Sequence, residues 1–104
     1  MITISNHIRN QRSERLVAIL THVGLGEPAV EFYDVQKRHI NVLTSTGVYL
    51  VYNIEKTTLI TAYLATWDKV YAMTRTNPVV IPKTIKTTIK KNEQRFSWIY
   101  KSSA

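Results

Sequence analysis

The chain contains no cysteine, which excludes disulfide staples, thiolate metal sites and a cysteine nucleophile together. Glycine and proline are scarce, three of each in 104 residues, so flexible linkers and low-complexity tracts have little to form from. Acids are few as well, seven against fourteen lysines and arginines. Glu14, Glu27, Glu31, Asp34, Glu55, Asp68 and Glu93 form no close pair along the chain. Metal-assisted hydrolysis and a two-carboxylate glycosidase therefore have no support. There is no His-Glu-x-x-His, no Gly-x-Ser-x-Gly turn and no glycine-rich loop leading into Gly-Lys-Thr or Gly-Lys-Ser, which removes nucleotide-hydrolysing motors and elbow-type serine hydrolases. The longest apolar stretch, Leu16 to Leu20, is too short to span a bilayer. The start, Met1-Ile2-Thr3-Ile4-Ser5, lacks the charged opening and apolar run of a secretory signal. The expectation is a cytoplasmic protein with no membrane partner, no metal and no cofactor.

What is present is enough for one core. Hydrophobic residues make up 44% of the chain, and the length suits a single domain over residues 1–104. Ser5 or Asn6 can cap a helix in which Ile8, Leu16, Ile19, Leu20 and Val23 recur at helical spacing, with a second start possible at Ser13-Glu14. Either way the helical stretch covers 6 to 23 and ends in the turn Gly24-Leu25-Gly26-Glu27-Pro28.

The period then changes. Val30 to Tyr33, Arg38 to Leu43, Val48 to Tyr52 and Thr58 to Leu64 are rich in β-branched and aromatic residues. Their short connections, Ser45-Thr46-Gly47 and Asn53 to Thr57, favour antiparallel neighbours, because a parallel crossover needs a dozen residues or more. The fold class is α+β: an N-terminal helix or helix pair, a three- to four-stranded antiparallel meander, then C-terminal helices. Thr66 is placed to cap a helix presenting Trp67, Val70, Tyr71 and Thr74 on one face, ended by Asn77-Pro78. Pro82 opens a further helix with Ile85 and Ile89 inward and lysines outward. Phe96 to Tyr100 fits either an edge strand or a continued helix.

Charge is unevenly placed. Of the formal +7, the segment from Lys83 onward holds six cations against the single acid Glu93, a field that attracts phosphate backbones or an acidic protein face. Lys83, Lys86, Lys90 and Lys91 are nucleic-acid-binding candidates on this ground. Arg9 and Arg12 are further candidates to hold an RNA backbone. Arg15, the third arginine at that spacing, is expected with them on a solvated helix surface.

Three histidines, His7, His22 and His39, carry the only side chains that ordinarily titrate near neutrality. His22 is accounted for by the helix dipole at a C-terminal turn, and His7 reads first as a helix-start residue. His39 follows Lys37-Arg38 on a strand whose neighbours present Tyr49, Thr61 and Tyr63. On a solvent-facing sheet these groups could bind a phosphodiester and move protons.

The run Arg38-His39-Ile40-Asn41-Val42-Leu43-Thr44-Ser45-Thr46-Gly47-Val48-Tyr49-Leu50-Val51-Tyr52, with Leu59 to Leu64, resembles the sheet of the barnase, EndoU, colicin and RelE superfamily of small ribonucleases. With Leu64-Ala65-Thr66-Trp67-Asp68-Lys69 it also resembles small proteins of phages and mobile elements. The ribonuclease resemblance implies metal-independent attack of a ribose 2′-hydroxyl on the adjacent phosphate, with Arg38, His39, Thr61 and Tyr63 as the catalytic residues. The expected function is that of a small basic RNA-acting protein, a toxin- or phage-type endoribonuclease. The alternative is a non-catalytic accessory protein that binds nucleic acid, RNA ahead of DNA, or an acidic host protein. A homodimer is a third expectation, supported by Trp67, Tyr71, Phe96, Trp98 and Tyr100, although these aromatics are more simply core.

Overall fold

The computed structural model describes residues 3–4 and 13–101. Its elements are β1 (Thr3–Ile4), α1 (Ser13–His22), β2 (Pro28–Asp34), β3 (His39–Thr44), β4 (Val48–Asn53), β5 (Thr58–Leu64), α2 (Trp67–Thr74), α3 (Lys83–Arg95) and α4 (Ser97–Lys101). The fold is α+β, and β2 to β5 form an antiparallel meander in chain order. β1 adds a short parallel partner to β5, Thr3 beside Thr58 and Ile4 beside Leu59, so the sheet order is β1-β5-β4-β3-β2. Two residues are too few to leave a period in the sequence, and this fifth strand was not anticipated.

Helices cover both faces of the sheet, which explains why the central strands are buried almost continuously rather than on alternate residues. On one face Val42, Leu50 and Ala62 pack against Ile19 of α1 and Ile99 of α4. On the other, Phe32, Leu43 and Tyr49 pack against Val70 of α2 and Ile85 and Ile89 of α3. A sheet with only one buried face would show strict alternation.

Local chemistry accounts for the ends of these elements. Thr66 caps α2 by accepting from the Lys69 N–H at 3.3 Å, with Asp68 in the first turn where the helix dipole favours an acid. α3 persists despite its threonines; Thr88 donates to the Thr84 carbonyl at 2.8 Å. At the β2 edge the Asn77 carboxamide accepts from the Tyr33 N–H at 2.8 Å and donates to the Tyr33 carbonyl at 3.3 Å. It occupies the place of a further strand and blunts the edge there.

Several expectations need correction. α1 is described only from Ser13, so Ser5, Asn6, His7, Ile8, Arg9 and Arg12 lie outside the described residues. Leu20 is not a core residue: it is 51% exposed, on the flank of the face that Leu16, Ile19 and Val23 present to the sheet. The buried face of α2 is Trp67, Val70 and Met73, while Tyr71 points away and is exposed. Of the two readings open for Phe96 to Tyr100 the strand does not form: Ser97–Lys101 is a separate helix, α4, and Phe96 is the turn before it. The turn at Phe96, where φ is −119°, redirects the chain so that Ile99 enters the core of the opposite face. Trp98 is exposed, so it and Tyr71 are not core.

Candidate functional site

Register on the sheet assembles the site. On the face under α2, His39 stands opposite Asp34, Asn41 lies between Phe32 and Val51, and Val51 is paired in turn with Thr61. One step further along, Tyr49 is paired with Tyr63. Rows on one face are separated by two residues, about 7 Å along the strands, so three successive rows present polar groups to the same side. α2 covers the Tyr49 row but leaves the His39 end open.

The result is a cavity of about 170 Å³ between the strand ends and α2. Its polar lining is Asp34, Lys37, His39, Asn41, Thr61 and Tyr63, with Lys69 from the helix; Val51, Ile60 and Met73 supply apolar wall. A second cavity of about 410 Å³ adjoins it, because Tyr63 and Lys69 line both; Arg15, Thr66 and Tyr100 complete its polar lining.

Of the four residues that the ribonuclease resemblance pointed to, His39, Thr61 and Tyr63 come together here. Arg38 does not. It sits in the β2–β3 turn with φ at +56°, exposed and outside the lining of the cavity. Alternation had placed it on the strand, but the strand begins at His39. Tyr49, expected on an open sheet face, is fully buried under the helices.

Two cations that the sequence did not single out for this site stand at it, Lys69 in its lining and Arg15 bonded to Thr61. Arg15 is only 8% exposed and donates from its terminal nitrogen to the Thr61 hydroxyl at 3.0 Å, with its guanidinium 5.8 Å from the centre of the Tyr63 ring. Three-residue spacing from Arg9 and Arg12 suggested solvent, but α1 turns Arg15 onto the sheet beside β5. By filling an acceptor position on Thr61, it leaves the Thr61 O–H free to donate into the cavity. The Lys69 ammonium lies 4.3 Å over the Tyr63 ring, a cation–π arrangement. The one signal for it was the capped helix start at Thr66, which sets Lys69 in the first turn of α2.

Electrostatics follow from this packing. Burial lowers the pKa of Lys69, with the Asp34 carboxylate opposing and the Arg15 charge adding to the shift. Tyr63 is pushed up to about 12, chiefly by burial, with Lys37 and Arg15 opposing and Asp34 adding. Tyr63 therefore keeps its proton and serves as a donor, while Lys69 gives up a proton more readily than an exposed lysine. Asp34 accepts from the Lys37 N–H at 3.1 Å, which ties the turn back to the strand end.

The remaining candidates lie elsewhere. Lys83, Lys86, Lys90 and Lys91 are exposed on α3, and the Lys86 ammonium stands 4.8 Å over the Trp67 ring. His22 ends α1, with its ring edge-on to Trp98 at 5.2 Å. Among the described residues no group of three His, Asp or Glu side chains converges to hold a metal ion, and no helix is long and apolar enough to cross a membrane. No family model matches the chain, and no curated protein or solved structure matches it.

Proposed function

We propose that this protein binds single-stranded RNA across the cleft formed by His39, Thr61, Tyr63 and Lys69 and cleaves it without a metal. The observation that carries the reading is the convergence of an imidazole, two hydroxyl donors and the Lys69 ammonium in one open cleft, backed by the buried Arg15. An imidazole exchanges protons near neutral pH, hydroxyl and ammonium donors stabilise charge on phosphoryl oxygens, and cations bind the backbone.

In this mechanism His39 takes the proton from the ribose 2′-hydroxyl as its oxygen bonds to phosphorus. The bond from phosphorus to the 5′-oxygen breaks, and Lys69, whose pKa is lowered by burial, gives that oxygen its proton. Thr61 and Tyr63 donate to the non-bridging oxygens. The products are a 2′,3′-cyclic phosphate end and a free 5′-hydroxyl. Arg38 has no part in the chemistry.

The test is incubation of purified protein with single-stranded RNA in the presence of a chelator. Cleavage with cyclic-phosphate ends is expected, and His39→Ala should lower its rate by ~10²- to 10⁴-fold with the fold intact. If the wild type binds RNA and never cuts it, the non-catalytic reading replaces this one. That second reading is supported by the exposed lysines of α3, which would hold a nucleic acid or an acidic protein through their field alone.

A further inference from the structure

Two cations held in one cavity wall repel each other, and an anion seated between them removes that repulsion. The larger of the two adjoining cavities, about 410 Å³, has such a wall. Arg15, 8% exposed, and Lys69 both line it, and no acid among the described residues does. The two charges act on each other, since Arg15 contributes to lowering the Lys69 pKa. Both also stand on the Tyr63 ring, the guanidinium 5.8 Å and the ammonium 4.3 Å from its centre, so one ring fixes the pair. Thr66 accepts from the Lys69 N–H at 3.3 Å, which leaves its own proton to donate. Tyr100 gives its proton to the Ala65 carbonyl at 2.9 Å and serves as wall. A guanidinium, an ammonium and a hydroxyl around an acid-free cavity are the donors that a phosphate takes.

The cleavage chemistry says which phosphate. His39 and Thr61, which act on the scissile phosphate, line only the smaller cavity, whereas Tyr63 and Lys69 line both. Attacking and leaving oxygens stand roughly in line across phosphorus. With His39 at the attacking 2′-oxygen and Lys69 at the leaving 5′-oxygen, the leaving strand passes Lys69 and continues into the Arg15 cavity.

We infer that the Arg15–Lys69 cavity holds the phosphate on the 3′ side of the leaving nucleotide, one step downstream of the bond that is cut. The inference rests on the RNA reading above and deepens it. It gives the bound strand a fixed polarity, makes Arg15 a specificity-determining residue, and directs cleavage within a strand rather than at its last linkage.

The test compares dinucleoside monophosphates, the same molecules with an added 3′-phosphate, and the same molecules with an added 5′-phosphate, each mixed over all base combinations, in the presence of a chelator. The two phosphorylated sets carry equal charge, so a difference between them reports position and not the net +7 of the chain. The 3′-phosphorylated set is expected to be cut with kcat/KM about tenfold or more above the other two, a hydrogen bond between charged groups being worth that much. Arg15→Gln should bring this ratio close to one, and Arg15→Lys, which keeps the charge without the planar fork, should keep part of it. Equal rates for the two phosphorylated sets overturn the inference in the wild type alone, and so does a folded Arg15→Gln protein that retains the full ratio. Cleavage of long single-stranded RNA with none of the short substrates cut overturns it as well and leaves the RNA reading standing. If the wild type cuts neither long nor short RNA, the RNA reading itself fails and the downstream site falls with it.

Discussion

Gly47 meets two separate demands. Its φ is +84°, a region where a Cβ is strained, and a Cβ there would lie 2.9 Å from the Asn92 amide nitrogen and 3.3 Å from an Ile89 side-chain carbon. Gly47→Ala is expected to destabilise the protein by about 1–3 kcal/mol in denaturant titration, the range for a residue held in a sparsely populated backbone region. Tyr49 presents the reverse case. Its hydroxyl is buried without a hydrogen-bond partner among the described residues, while its ring packs against Phe32 and Tyr63. Replacing an unsatisfied buried polar atom by an apolar one of the same shape is neutral or favourable, so Tyr49→Phe should hold or raise the melting temperature. A marked fall would mean that the hydroxyl has a partner, such as an ordered water. At this scale the sequence put His39, Thr61 and Tyr63 forward as candidates on neighbouring strands, and they line one cavity; it did not put forward Arg15, whose burial depends on how α1 packs beside β5.

The element that closes the core on the α2 face of the sheet is α3. Ile85 and Ile89 fill the face over the sheet, and Asn92, 7% exposed, reaches the hairpin turn to donate to the Thr46 carbonyl. Thr46 in turn donates to the Gly24 carbonyl at 2.7 Å, so one turn links α3 to the loop after α1. Ile89→Ala is expected to cost about 2–5 kcal/mol, the usual range for removing a buried isoleucine to alanine. Asn92→Ala should cost about 1–3 kcal/mol, because the Thr46 carbonyl loses its partner. Should Asn92→Ala melt like the wild type, water replaces the amide at the Thr46 carbonyl. The helical period of α3 was legible from Ile85 and Ile89, whereas the role of Asn92 was not: only the docked turn distinguishes it from the exposed polar residues beside it.

For the whole molecule, buried tyrosines set the response to alkali. Tyr63 titrates near 10.0 when unfolded and at about 12 when folded, and burial raises Tyr49 and Tyr100 as well. The folded state thus holds protons that the unfolded state gives up, so this stability is fully present below pH 10 and is lost as the pH rises through 12. Lys69, with its pKa lowered by burial from 10.5, has the opposite sign, but its effect is complete by that pH and leaves the fall above it to the tyrosines. Melting temperatures measured from about pH 8 to about pH 12 should fall steeply above about pH 10, and less steeply in Tyr63→Phe. Charge is the second whole-molecule property. If the α3 lysines contact RNA, replacing Lys83, Lys86, Lys90 and Lys91 by Gln lowers the log–log salt slope by about 0.7 for each phosphate released. Unchanged affinity and slope would leave the His39–Lys69 cleft as the contact surface.

The sequence by itself determined the α+β class, the antiparallel order of β2 to β5 and the exposure of the α3 lysines. These depend on short-range properties: side-chain period, loop length and charge spacing, each readable within about ten residues. Tertiary structure decided that helices cover both sheet faces and leave a cavity at the His39 end of one, and that Arg38 stands outside this cleft while Lys69 lines it and Arg15 bonds Thr61 behind it. Those outcomes depend on where α1 and α2 land on the sheet, which is settled by packing between segments far apart in the chain. Arg15 and Thr61, hydrogen-bonded here, are separated by 46 residues, beyond the reach of any local pattern.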